Sequence, residues 1–321
     1  MITKSLPALT AALLLAAPAL AQDYPSRSVR LVVPFPAAGA TDITARLVAN
    51  QLSKQWGQTV IVENRVGASG VIGSEAVARS PADGYTLLIG TLAANVMSHL
   101  LRDKMPYPRD AFAPITILGS TPNILIASNA LPVKTLQELA AHTKANPGKV
   151  RYASPGIGLS GHLGVALFAD ESKLDFVHVP YRGSAPSVEA FARGEVELTL
   201  ALVPETLNVM KSTPGVKPLA IASAKRSDKF PDTPTFAELG YPKVQVYALS
   251  GLMAPAGTPQ AIVDKIHRDT VIALKDPIVA ERMASLGLDV IGSTPAEFSK
   301  HLADEFARWE PLIRSHNIKS E

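Results

Sequence analysis

The stretch VRLVVPFPAAGATDITARL, Val29 to Leu47, is an apolar run that breaks at a Pro/Ala/Gly loop and resumes with a helical pattern. Val29 to Phe35 reads as a strand. Beyond the loop Ile43, Leu47, Val48 and Leu52 recur at helical spacing, with Gly39 or Thr41 placed to cap the start. Later the chain repeats the plan in VRYASPGIGLSGHLGVAL, Val150 to Leu167: strand, Gly-rich loop, then Ser opening a helix. The first copy continues with a strand at Thr59–Asn64, a helix at Gly70–Ser80 and a strand at Thr86–Thr91. The order βαβαβ predicts a parallel sheet covered on both faces.

The pattern restarts at Thr121–Ser128, and a helix closed by Pro147-Gly148 leads into the second copy. Strands at Phe176–Tyr181, Val196–Leu202 and Val216–Ser223 alternate with helices, making a second α/β unit. The tail has one long apolar run, Val244–Pro255, and helices from Pro259 and Pro295. It has too few strands for a third α/β domain, so it is expected to return to the first. In its last helix Phe298, Leu302, Phe306, Trp309 and Ile313 make one apolar stripe, read as core. Crossings near residues 121–127 and 244–252 predict two α/β lobes joined by two hinge strands with a ligand cleft between them. The expected boundaries are 22–122 for the first part of lobe 1, 123–244 for lobe 2, and 245–321 for the rest of lobe 1.

Residues 1–21 combine Lys4, the run around Leu13–Leu15 and Ala19-Leu20-Ala21. That is the layout of a secretory signal peptide cut after Ala21, so the expected location is the periplasm. The 321-residue chain has no cysteine, which excludes disulfides, thiolate metal sites and a cysteine nucleophile. Its formal charge is only +3, and the basic residues are scattered, so no nucleic-acid partner is expected. A monomer is expected.

Gly156-x-Gly158-x-x-Gly161 has the letters of a dinucleotide loop. A true fingerprint needs an acid at the end of the next strand, and here that strand ends in Pro180-Tyr181-Arg182-Gly183. No cofactor is therefore expected. What remains is the physics of the loop, in which close backbone approach and a helix N-terminus make an anion site. One such loop in each lobe would grip a small carboxylate from both sides. Ser160 and His162 do not face each other on a helix, and GLSGH is not a nucleophile elbow. None of the seven histidines sits in H-E-x-x-H. The chain is read as a non-enzyme with no metal site. A ligand sensor feeding a membrane signalling protein, and less so a secreted hydrolase, are the alternatives.

Five blocks carry a resemblance over essentially the whole chain after residue 21. They are YPSRSVRLVVPFPAAGATDITAR, VIVENRVGASGVIGSEAVARSPADGYTLLIGT, VHVPYRGSAPSV, SAKRSDKFPDTPTFAELG and APAGTP. The chain resembles the Bug-type periplasmic solute receptors of the tripartite tricarboxylate transporter family. The resemblance implies a type II periplasmic-binding-protein fold closing on a carboxylate, delivered to membrane transporter subunits. The matching ligand positions in the first lobe are Phe35, Ala38, Gly39, Ala40, Thr41 and Asp42, then Thr91 and Ala93. In the second lobe they are Ser154, Gly158, Ser160, His162, Tyr181 and Gly183. The alternative readings are that Asp42 favours its own helix N-terminus, Thr41 and Ser160 are caps, His162 is a core histidine and Tyr181 a packing residue.

Two departures bear on the ligand. Where the family often has a second glycine in the first loop, this chain has Ala38. Where it frequently has an Asp-Asn pair, this chain has Ala201 and Leu202. Without an acid there to pair an ammonium, amino acids are expected to bind poorly. An aromatic acid or a medium-chain dicarboxylate is favoured.

Overall fold

β1 (Val29–Val33) passes through a loop into α1 (Ala40–Trp56), and β2 (Val60–Asn64), α2 (Val71–Ala78) and β3 (Thr86–Gly90) repeat the step. This computed structural model describes residues 24–37, 39–285, 287–315 and 318–319. The signal peptide expected over residues 1–21 and the ligand position Ala38 lie outside the described residues. β1 is the middle strand, parallel to both neighbours, with Val29 beside Val60 and Leu31 beside Leu87. A π-helical turn (Ala93–Met97) and α3 (Ser98–Leu101) follow, in a stretch where the sequence reading assigns no element.

β4 (Phe112–Ala127) then leads through α4 (Leu136–Ala145), β5 (Val150–Ser154), α5 (Ser160–Ser172), β6 (Phe176–Pro180), α6 (Ser184–Ala192), β7 (Leu198–Leu202), α7 (Val203–Ser212) and β8 (Lys217–Ile221). β9 (Tyr247–Pro255) returns, followed by α8 (Gln260–Leu274), α9 (Pro277–Ser285), β10 (Asp289–Val290) and α10 (Pro295–Ser315). Among the described residues no helix is long and apolar enough to cross a membrane.

β4 ties the two lobes. From Phe112 to Pro122 it pairs antiparallel with β9, which also pairs β3. From Asn123 to Ala127 it pairs with β7 instead, while β8 lies on its other edge. Pro122, which has no N–H to donate, sits where one set of partners ends and the next begins. The sequence reading starts this strand at Thr121, whereas the strand starts at Phe112. Pro114 and Gly119 flank two register shifts against β9, and these breaks disguise the strand as two apolar fragments.

Each lobe has its own core. Leu31, Val48 and Leu52 pack with Leu252 and Ile266, and Leu125, Leu163, Phe168 and Leu200 form the other. The stripe on α10 divides between them. Phe298 packs with Val32, Leu88 and Met253, whereas Trp309 and Ile313 join Leu163 and Phe168. α10 therefore lies across the junction of the lobes, and its buried residues reach the cleft.

Candidate functional site

The parallel strands of both lobes end at one cavity of about 510 Å³, the position where open α/β sheets bind ligands. Its wall is built from the β1–α1 loop, the residues after β3, the β5–α5 and β6–α6 loops, the end of β7, the start of β9, and α10. Of the residues expected from the sequence, Phe35, Gly39, Ala40, Thr41, Thr91, Ala93, Gly158, Ser160, Gly183, Ala201 and Leu202 line it.

Of the helices that begin at this wall, α1, α5 and α6 have no side-chain cap. The N-cap of α1 is Gly39, that of α5 is Leu159 and that of α6 is Gly183. Of the two caps expected for α1, Gly39 holds the position, and Thr41 lies inside the first turn. Helix geometry leaves first-turn N–H groups without intrahelical partners, and the aligned peptide dipoles add partial positive charge. Thr41 on α1 and Ser160 on α5 add hydroxyls beside those amides. Two lobes therefore present anion-seeking helix ends to one space, while the rest of the wall is largely apolar, with Leu92, Met97 and Val188 among its members.

Four expected contacts do not line the cavity, three of them buried behind its wall and Tyr181 turned towards solvent. Asp42 is 2% exposed; it accepts a bond from Asn64 Nδ2 at 2.9 Å and pairs with Arg46 at 2.9 Å. The same Asn64 amide donates to the carbonyl of Phe35 at 3.0 Å, so Asp42 holds the first loop in place. Ser154 is fully buried, with its Oγ 2.6 Å from His178 Nε2. His162 stacks on His178 with ring centroids 4.2 Å apart, and its Nδ1 accepts the Gly158 N–H at 3.1 Å. Tyr181 turns its hydroxyl to Glu195 at 3.3 Å.

The Gly-rich loop is therefore used differently from a dinucleotide loop. Gly156 N–H donates to Ser154 Oγ and Gly158 N–H to His162, so these two amides serve the loop itself. The amides left for an anion are those of Ser160 and Gly161, since the His162 N–H already donates to the Leu159 carbonyl at 3.0 Å. Gly158 has φ +77°, and a Cβ on it would lie 2.0 Å from Leu101 Cδ1. A Cβ on Gly161 would meet the carbonyl of Leu200 at 2.8 Å. Steric demands thus account for both glycines. Burial holds His162 at about 4, with His178 adding to the effect, and burial holds His178 at about 4 as well. Both imidazoles are neutral at physiological pH.

The sequence reading missed Asn123, Glu205, Tyr247, Glu305 and Trp309, all of which line the cavity. Glu305 is 5% exposed and accepts from Tyr247 Oη at 3.0 Å and Trp309 Nε1 at 2.6 Å, with Arg308 Nη1 at 3.5 Å. Its charge is thus compensated from three sides. Glu205, on the first turn of α7, accepts the Leu202 N–H at 3.1 Å, and burial pushes its carboxyl up from the ordinary range. The wall expected to lack an acid, because of Ala201 and Leu202, receives one from Glu205. Its place within three residues of Leu202, as a helix-start acid, was the available signal. Among the described residues no group of His, Asp or Glu is arranged to hold a metal ion.

The comparisons with known proteins agree with this geometry. The sequence profile of the tripartite tricarboxylate transporter family receptors matches residues 44–318. Protein BugT of Bordetella pertussis is 37% identical over 95% of this chain and 94% of its own length. A protein from the tcbD–tcbE intergenic region of a Pseudomonas species is 33% identical, covering 92% and 88%. Among solved structures, Rpa4515 of R. palustris with adipate has a TM-score of 0.83 at 34% identity, covering 92% of this chain and 99% of that one. MatC from Rhodopseudomonas palustris with bound malate has 0.78 at 32%, covering 90% and 100%. These receptors have the two-lobed periplasmic-binding-protein fold and are binding proteins, not enzymes. With a profile match over most of its length and relatives aligned end to end, the chain belongs to the tripartite tricarboxylate transporter family receptors.

Proposed function

We propose that this chain is a periplasmic receptor that closes over a small organic carboxylate with an apolar body and delivers it to a tripartite tricarboxylate-type membrane transporter. The observation that carries the reading is the pair of uncapped helix starts at Thr41 and Ser160, one from each lobe, on one largely apolar cavity. No Lys, Arg or His lines that cavity among the described residues, so helix ends and hydroxyls are its anion-binding elements. The adipate and malate held by related structures support a carboxylate.

The lobes meet at residues 122/123 and 244/245 in this reading, supported by the partner switch in β4 between Pro122 and Asn123. Closure about these strands brings the two helix ends onto one carboxylate, and the ligand shifts the open–closed balance by binding the closed form better. Delivery is of the monomer, with the leader removed after Ala21.

A thermal-shift screen of the chain without residues 1–21 against organic acids tests this. An acid at a hundred times its dissociation constant adds about 2.7 kcal/mol of stability. A selective rise in melting temperature is expected. Protein unfolded, dialysed and refolded to strip any retained solute, yet still unmoved by every carboxylate in the panel, refutes the reading.

A further inference from the structure

Two of the buried polar groups on the cavity wall, Asn123 Oδ1 and Glu205, are acceptors. Asn123 is 2% exposed and lines the cavity. Its Nδ2 donates to the carbonyl of Leu200 at 3.3 Å, which fixes the amide's orientation, and its Oδ1 is buried with no partner. Glu205 lines the same wall, and among the described residues no cation lies within ion-pair distance of it. Its polar neighbours are the Leu202 N–H and the Ser184 side chain. Glu305 differs, since three donors already compensate it. A buried acceptor without a donor is costly, and a ligand that brings a donor removes that cost.

We propose that Glu205 and Asn123 select, among carboxylates, those whose second polar group is a hydrogen-bond donor, an ammonium above all, over those with a second carboxylate. This rests on the carboxylate-receptor reading above. The ligand's single carboxylate lies at the helix starts of α1 and α5, and its apolar body spans the cavity. Its donor meets the Glu205 carboxyl and Asn123 Oδ1. A second carboxylate at that end faces Glu205, and the two can coexist only when Glu205 takes a proton. An ammonium favours ionised Glu205 and needs no such proton.

The proton count makes the proposal testable without knowing the natural solute. Hexanoate, 6-hydroxyhexanoate, 6-aminohexanoate and adipate share one skeleton and differ at the far end. Titration calorimetry of each, in two buffers of different ionisation enthalpy, reads affinity and protons exchanged. The expected result is 6-aminohexanoate at least 10-fold tighter than adipate near pH 7.5. Adipate binding takes up a proton and weakens as pH rises. In Glu205→Gln, which keeps an acceptor for the Leu202 N–H, the preference collapses to within about threefold. Adipate binding tightest with no proton uptake overturns the proposal while leaving the receptor reading intact. Should the variant fail to fold, the wild-type proton count alone decides. If none of the four acids binds, this inference falls. The wider screen against aromatic and branched acids then decides separately whether the receptor reading falls with it.

Discussion

Lowering the pH from 7 to 5 should destabilise this protein through His162. Burial holds its imidazole at about 4, against 6.5 for an exposed one, so between those values the unfolded chain binds a proton that the folded chain refuses. Stability is then complete above about pH 6.5 and is lost as pH falls towards 4. At pH 5 a shift of that size removes about 2 kcal/mol. His178, also at about 4, acts in the same direction. The two rings stack at 4.2 Å, so protonating both would set two cations face to face. The pair together therefore accounts for about 2 to 4 kcal/mol. Urea unfolding at pH 7 and pH 5 of wild type and His162→Gln measures the effect. Glutamine does not titrate, and its amide oxygen can accept the Gly158 N–H. The variant should lose about 2 kcal/mol less than wild type across that interval. His99, held at about 4 by burial and then by Arg109, remains in both proteins and cancels. Equal losses in the two proteins would refute the idea that the ring pair beneath the ligand loop is kept neutral by the fold.

The ligand site and its supports give three further expectations. Thr41→Ala combined with Ser160→Ala should weaken carboxylate binding roughly 10- to 100-fold while leaving urea stability within about 0.5 kcal/mol; unchanged affinity counts against the paired helix starts. Gly158→Ala sets a Cβ 2.0 Å from Leu101 Cδ1 at φ +77° and should cost roughly 2–4 kcal/mol. Adding Leu101→Ala removes the clash but should recover only part of that loss, because the strain at φ +77° remains and the deleted leucine leaves a cavity of its own; full recovery would refute this. Trp309→Phe removes the 2.6 Å bond to buried Glu305 and should cost at least about 1.5 kcal/mol in urea unfolding, a loss that a role in packing alone would not require.

The βαβ steps were legible because each apolar run is bounded by Gly or Pro and each helix has its own period, as in Val29–Val33 followed by Ala40–Trp56. β4 was legible only in its second half, since Pro114 and Gly119 interrupt the alternation where β9 bulges against it. The loop residues nearest the helix starts could be named in advance because Thr41 and Ser160 follow strand and loop directly in the chain. Glu305 and Trp309 could not. Their spacing on α10 says only that they share a face, and a buried face looks the same in sequence whether it meets core or cleft.

The sequence by itself therefore determined the class of the fold, the repeated strand–loop–helix plan, the absence of cysteine chemistry and the type of group the helix starts attract. These are local properties, set within a few residues of each other. The tertiary structure alone decided which expected residues line the cavity. Asp42, Ser154 and His162 are a few residues from the cavity in the chain but turn inward to hold the loops, through Asn64, His178 and Gly158. It also decided the acidity of the far wall. Ala201 and Leu202 removed an acid at one position, and the first turn of α7 returned one from Glu205, because helical geometry carries a side chain three residues on back to the same face.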